Sequence, residues 1–219
     1  MRLAQVSPYL VAVVWALVGL GVGSAVRWAS VRLARLEGLE PGNRRWQVYG
    51  PPILAAILFG VFGWRLGASP LLLIRSLWVA VLVQVIFFDM EHHLILDRVL
   101  LPAAICALVL SLVTPNLGWL PALLTGFGTG LVFLAIAAAG ALIFHAEAMG
   151  FGDVKFSAFM GLVLGLRPTL VAVLLGVILA GVVALGLVLL RRRHLKDSIA
   201  YGPFLAAGAL VALFGLGSG

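Results

Sequence analysis

Charge is scarce in this chain. Only 8 of its 219 residues are Asp or Glu and 15 are Lys or Arg, so charged residues make up 11% of the sequence. Hydrophobic residues make up 63%, and the mean hydropathy is +1.17. A soluble domain typically has about 25% charged and about 45–50% apolar residues. The composition therefore excludes an ordinary soluble protein and indicates an all-α, polytopic membrane protein.

Cysteine is almost absent. The single Cys106 lies in an apolar segment, which excludes an intramolecular disulfide and any Cys-x-x-Cys metal site. The four histidines form no His-Glu-x-x-His motif, and His145 and Glu147 would lie on different faces of a helix. Histidines at the membrane interface are favoured over a metal centre, so we predict no bound metal.

Long polar stretches are also missing. The longest runs from residue 27 to 49 and is too short to bury a core of its own, so we predict one transmembrane domain over 1–219. The net charge of +7 could suggest nucleic acid. The basic residues instead cluster in predicted loops, and no basic patch alternates with aromatic residues as single-strand binding requires. We therefore expect contact with membrane lipids and no nucleic-acid partner.

Apolar segments separated by short turns dominate the rest of the chain. Eight are long enough to consider as spans, at 8–26, 51–64, 70–88, 99–113, 120–144, 154–166, 169–190 and 201–216. The second, fourth and sixth are short, so seven or nine spans remain possible. Glycines four residues apart predict close helix packing at Gly19/Gly23, Gly126/Gly130 and Gly161/Gly165.

The distribution of Lys and Arg predicts the topology. Arginines mostly follow the first segment, which favours an uncleaved first span with its N-terminus outside. Eleven of the 15 basic residues then lie on the inner side and four on the outer side, with both termini outside. This places Asp89 and Asp153 at the cytoplasmic ends of the third and sixth segments.

Asp89 and Asp153 are the basis of the hypothesis that the protein hydrolyses a peptide bond. Residues 149–155 are MGFGDVK, in which Gly150 and Gly152 permit positive φ and close approach of an extended peptide to Asp153. The alternatives are that Asp153 caps a helix and that Asp89 is an interfacial charge ending a span. Two carboxylates sharing a site do not both ionise easily. The ionised one would activate water against a peptide carbonyl, and the protonated one would later donate to the leaving amine.

The motifs resemble the type IV prepilin peptidases, membrane aspartyl proteases that remove prepilin leaders. MGFGDVK is similar to their Gly-x-Gly-Asp motif, and residues 89–97, DMEHHLILD, to their first catalytic motif. Residues 201–206, YGPFLA, resemble a late Phe-Gly-Pro-Phe-Leu element, and residues 49–52, YGPP, a Tyr-Pro turn before the second span. The four elements occur in the family's order along nearly the whole chain.

The resemblance implies that Asp89 and Asp153 are the catalytic aspartates of an endopeptidase at the cytoplasmic face of a bacterial inner membrane. It implies prepilin or pseudopilin substrates, whose basic leader would lie near acidic residues of the enzyme. The residues expected to bind substrate or support the acids are Gly150, Gly152, Lys155, Asp97, Glu91 and Glu147. No cofactor is expected for proteolysis.

The chain departs from the family in three ways. The 27–49 loop lacks the Cys-rich zinc insert of many bacterial members. No S-adenosylmethionine site is recognisable, so that cofactor is expected only if the family's N-methyltransferase activity is retained. Leu96 stands where the first motif usually has proline.

Two interpretations from other classes stay open at this point. A proton-coupled transporter would use the same acids as a relay, near the bilayer midplane on broken helices. A non-catalytic assembly protein of a secretion system would need neither acid.

Overall fold

A computed structural model describes residues 7–115, 117–144, 149–189 and 200–215. Every regular element in these ranges is an α-helix. The eight helices are α1 (Pro8–Leu36), α2 (Arg45–Leu66), α3 (Pro70–His92), α4 (Asp97–Leu110), α5 (Trp119–Phe144), α6 (Phe151–Leu164), α7 (Leu166–Leu189) and α8 (Gly202–Gly215). They correspond one to one with the eight predicted segments, which confirms the all-α polytopic class.

The helices differ in length. By length and composition, α1, α2, α3, α5 and α7 can each cross a membrane. In contrast, α4, α6 and α8 have 14 residues each, or about 21 Å of helix. That length falls short of a hydrocarbon core of about 30 Å.

The predicted 27–49 loop is the clearest difference from expectation. Helix α1 continues to Leu36 because neither Gly nor Pro occurs between Gly23 and Gly38, whose φ is 71°. Helix α2 begins at Arg45, six residues before Pro51. The Arg44 backbone N–H donates to Gln47 Oε1 at 2.8 Å and so closes the first turn of α2. The loop is therefore residues 37–44 alone.

The described chain forms two compact units that divide between His92 and His93. The first contains α1, α2 and α3, and α3 is its most buried helix. Helices α1 and α2 pack through glycine: a Cβ on Gly19 would lie 2.6 Å from the Ala55 carbonyl oxygen. The glycine spacing thus predicts this contact correctly.

The second unit contains α4 to α8, and α6 contacts all four of the others. Its Phe156 is fully buried, and Phe159 is nearly so. A Cβ on Gly161 would lie 2.7 Å from Gly126 Cα, so the backbones of α5 and α6 nearly touch. Asp89 lies on α3, the most buried helix of the first unit, and Asp153 lies on α6, the helix that contacts all the others of the second unit.

Candidate active site

Asp89 lies in the last turn of α3. The helix ends at His92, and His93 follows in the left-handed region with φ 52°. The Asp89 residue is only 5% exposed, and its neighbour Phe88 is buried as well. Burying a carboxyl group opposes folding unless the surroundings compensate it. The buried Asp89 is therefore a candidate functional residue.

Glu91, two residues further on, is the centre of a polar cluster in the first unit. It accepts hydrogen bonds from the Gly42 backbone N–H and from Arg27 Nη1, the latter at 3.3 Å. His92 Nε2 lies 3.3 Å from the same carboxylate, at Oε1. The Arg27 guanidinium also donates to the Gly42 carbonyl oxygen. The Glu91 and Arg27 side chains are only 7% and 14% exposed, so this is a largely buried ion pair.

This cluster fixes the loop between α1 and α2 to the end of α3. Gly42 is bound through both of its backbone groups, one to Glu91 and one to Arg27. At the start of α2, Trp46 stacks on Phe87 with ring centroids 6.3 Å apart. The end of α3 that carries Asp89 is thereby held from two sides within its own unit.

Asp153 is the third residue of α6, in the second unit. Its backbone N–H donates to the Gly150 carbonyl at 3.1 Å. Gly150 occupies the N-cap position, so the alternative that Asp153 caps the helix is wrong. The side chain is half-buried in the first turn, where the helix dipole stabilises negative charge.

The two motif glycines differ in what they do. Neither has positive φ: Gly150 is extended, with φ −67°, and Gly152 is helical. A Cβ on Gly152 would lie 3.2 Å from the Cβ of Ile95, so this glycine lets the α3–α4 connection pack on α6. Gly150 is exposed, and the atom nearest to a Cβ added at Gly150 would be Asp153 Oδ2, at 3.7 Å. The expectation of positive φ was wrong. What lies against Gly152 is Ile95 of the same chain, and the approach of an extended peptide to this loop stays a prediction.

Lys155 connects α6 to α4. Its Nζ lies 2.8 Å and 2.6 Å from the two carboxylate oxygens of Asp97, the first residue of α4. The same ammonium lies 4.9 Å from the centroid of the Phe151 ring, one turn earlier on α6. The Lys155 and Asp97 side chains are 33% and 50% exposed, respectively.

Tyr201 is a residue to which sequence reasoning assigned no role. Its carbonyl oxygen accepts from Phe204 N and Leu205 N and so starts α8. Burial raises the pKa of the Tyr201 phenol, and the charge of Asp153 raises it further. The late YGPFLA element thus brings a phenol into the electrostatic field of Asp153. The tyrosine before a Gly-Pro turn was the available signal.

The other predicted residues are placed as follows. Asp89 and Glu91 belong to the first unit, and Asp97, Gly150, Gly152, Asp153 and Lys155 to the second. Glu147 and His145 lie outside the described residues. Within the described ranges no group of three or more His, Cys, Asp or Glu side chains could hold a metal ion. Cys106 is exposed on α4, and loop 37–44 contains no cysteine, so the donor set for a zinc insert is missing there.

Comparison with known proteins gives the family. The model of the type IV leader peptidase family matches residues 76–185, half of the chain. The chain belongs to the type IV leader peptidase family. The matched region contains both Asp89 and Asp153. With its several apolar helices, this member of the family is a multi-pass membrane protein.

Three relatives illustrate the similarity. The prepilin leader peptidase/N-methyltransferase of Aeromonas salmonicida (strain A449) is 32% identical over 154 residues, 69% of this chain and 50% of the relative. The protein of the same name from Bacillus subtilis (strain 168) is 30% identical over 160 residues, 73% of this chain and 62% of the relative. The leader peptidase HopD of Escherichia coli is 32% identical over 140 residues, 62% of this chain and 88% of the relative.

The chain spans about half the length of the Aeromonas protein that it matches. No solved structure matches it significantly. Family membership therefore rests on sequence, and the setting of each acid rests on the geometry described above.

Proposed function

We propose that this protein is a membrane aspartyl endopeptidase that removes the basic leader of type IV prepilins or pseudopilins. The observation that carries the proposal is the position of its acids. Both lie within the region matched by the leader peptidase family, Asp89 buried in the last turn of α3 and Asp153 behind Gly-x-Gly in the first turn of α6.

The position of the acids along their helices favours a peptidase over a transporter. A proton relay through the membrane requires acids near the middle of broken helices. Asp89 is three residues from the end of α3, and Asp153 is two residues from the start of α6. Acids at helix ends suit a reaction at a membrane surface, where water and the leader are both accessible.

The proposed chemistry needs only the two carboxyl groups and water. The ionised carboxylate removes a proton from water as the water oxygen attacks the scissile carbonyl carbon. The protonated carboxyl stabilises the developing oxyanion and then donates its proton to the leaving amine nitrogen as the C–N bond breaks. The products are the leader with a new carboxylate and the mature protein with a new amine.

The proposed substrate class is taken from the relatives, which are named prepilin leader peptidases. A prepilin has a short basic leader, a glycine at the cut and then an apolar helix. The apolar helix can lie among the spans while the basic leader stays in the cytoplasm. Since positively charged loops face the cytoplasm, we place the active site on the cytoplasmic side of a bacterial inner membrane, with both termini outside.

Methyl transfer to the new amine is a separate question. The Aeromonas and Bacillus relatives have N-methyltransferase in their names, whereas HopD is named a leader peptidase alone. The proposal is for proteolysis, and S-adenosylmethionine is required only for the second reaction. The same mass spectrum detects both, because methylation adds a fixed mass to the mature product.

The test is cleavage of purified prepilins by the protein in lipid, followed by mass spectrometry. We expect cleavage after the leader glycine by the wild type, and a loss of at least 1,000-fold in rate in both Asp89→Asn and Asp153→Asn, because each removes an essential carboxyl group. The matched control is Glu40→Gln, an exposed acid in loop 37–44, which should retain wild-type activity.

Two results would contradict the proposal. Intact substrate with wild-type enzyme across several prepilins would favour a transporter or an assembly protein. Full activity in either Asp→Asn variant would remove that acid from the mechanism.

A further inference from the structure

The Lys155–Asp97 ion pair stands where α6 needs support. The first four backbone N–H groups of a helix have no partner within the helix, so its first turn is held mainly by outside contacts. Asp153 lies in this turn of α6. Within the second unit, Gly152 of this turn contacts Ile95, Val154 is buried, and Lys155, directly after the turn, bonds to Asp97.

The geometry of the pair suits a positioning role. The Lys155 ammonium meets both oxygens of one carboxylate and packs on the Phe151 ring, so its position is defined from two directions. On a helix, residues two apart point to nearly opposite sides, so Lys155 faces away from Asp153. The pair therefore acts on the backbone at the start of α6 and not directly on the Asp153 carboxyl group.

The pair contributes too little energy to serve as a principal fold contact. Ion pairs as exposed as this one typically contribute little to stability, so we expect the protein to stay folded when the pair is lost. A displacement of about 1 Å at a catalytic group can nevertheless slow a reaction by about 100-fold. A weak contact can thus matter little for stability and much for the rate.

We propose that Lys155 and Asp97 form a positioning pair that holds the first turn of α6, and with it Asp153, against the start of α4. This inference rests on the proposed peptidase function and deepens it. Of the two roles expected for Asp97 from sequence, it selects support of the catalytic acid over binding of the leader, because both Asp97 oxygens are bound to Lys155.

Steady-state cleavage of a prepilin by the full-length protein in lipid tests the pair. In Lys155→Met and Asp97→Asn we expect kcat to fall about tenfold while KM stays within about twofold of wild type. Lys155→Arg, which keeps the charge, should retain most of the activity. The double exchange Asp97→Lys/Lys155→Asp should recover at least threefold over the single variants. Recovery is incomplete because a lysine at the start of α4 opposes the helix dipole.

A second measurement is independent of activity. Hydrogen exchange of the peptide covering residues 149–156, followed by mass spectrometry, should show faster exchange in Lys155→Met and Asp97→Asn and near wild-type exchange in the double variant. A raised KM with unchanged kcat and no recovery in the double variant would overturn the inference in favour of leader binding by Asp97. Wild-type kinetics and wild-type exchange in both single variants would overturn it as well.

Failure of the proposed function gives a different pattern. If the wild type cleaves no prepilin, the peptidase proposal fails, while hydrogen exchange still decides whether the pair holds the first turn of α6.

Discussion

Among single residues, Glu91 is the one whose assigned role changes most once its contacts are known. From sequence it is one of the acids expected to meet a basic leader. In the structure it is bound by Arg27, by the Gly42 N–H and by His92, with a side chain only 7% exposed. An acid so occupied is better suited to holding loop 37–44 than to binding a second cation.

We expect Glu91→Gln to destabilise the protein by on the order of 3 kcal/mol, because the Arg27 charge would stay largely buried without its partner. Glutamine still accepts from the Gly42 N–H, so the loss is mainly that of the charge. The unfolding midpoint in detergent should fall by roughly 6–12 °C. Glu40→Gln, at an exposed position in the same loop, is the control.

A double variant separates charge from packing in this cluster. Arg27→Met/Glu91→Gln removes both charges and should be more stable than Glu91→Gln alone. A midpoint for Glu91→Gln equal to that of Glu40→Gln would show that the ion pair has no role in stability.

Tyr201 gives a prediction about pH. Burial, and secondly the charge of Asp153, raises its pKa above the usual 10.0. In a Tyr9→Phe/Tyr49→Phe background, the phenolate absorbance should appear above pH 10.0, and Asp153→Asn should lower the Tyr201 pKa partway toward that value. The neutral phenol contributes to stability below about pH 10. That contribution is lost as the pH rises further, because the unfolded chain ionises first.

One outcome of the same titration would contradict this prediction. If the Tyr201 absorbance curve is identical with and without Asp153→Asn, the charge of Asp153 does not reach the phenol. Tyr201 would then be only the residue that starts α8.

Among the helices, the start of α6 depends on one glycine. We expect Gly152→Ala to slow cleavage by about tenfold or less, because its Cβ would lie 3.2 Å from that of Ile95, a stiff β-branched residue that is 8% exposed. The rate of prepilin cleavage is the measurement. Gly128→Ala on α5, with open space around the added carbon, is the matched control.

Shortening Ile95 should reverse this effect. Gly152→Ala/Ile95→Ala removes the close contact and should regain part of the lost activity. If Gly152→Ala cleaves as fast as Gly128→Ala, packing against Ile95 does not position Asp153.

The helices also show where prediction from sequence stops. Hydropathy locates all eight, because apolar runs and Pro or Gly punctuation are local features. Hydropathy places the start of α2 at Pro51, whereas the helix begins six residues earlier, at Arg45. The hydrogen bond from the Arg44 backbone N–H to the Gln47 side chain closes this earlier first turn. Helix propensity alone does not predict a hydrogen bond between a backbone group and a particular side chain.

On the scale of the whole molecule, sequence picks out the candidate acids and several residues expected to support them, but not how those residues pair. Asp89 and Asp153 stand out because acids are rare in so apolar a chain. Arg27 and Glu91 are 64 residues apart, and Asp97 and Lys155 are 58 apart, so these pairs form only when the helices pack. In both units a charged residue two positions after the acid pairs with another element, an arrangement invisible in the linear sequence.

The 14 residues of α6 have a consequence for the lipid around it. A helix of about 21 Å leaves about 9 Å of a 30 Å hydrocarbon layer unmatched. Either the bilayer thins beside α6 or one end of the helix lies below the headgroups. The Asp153 residue is at the start of this helix, so a mismatch at that end would shorten the path from bulk water to its carboxyl group. We therefore expect the rate of the proposed hydrolysis to change with the thickness of the bilayer in which the protein is reconstituted.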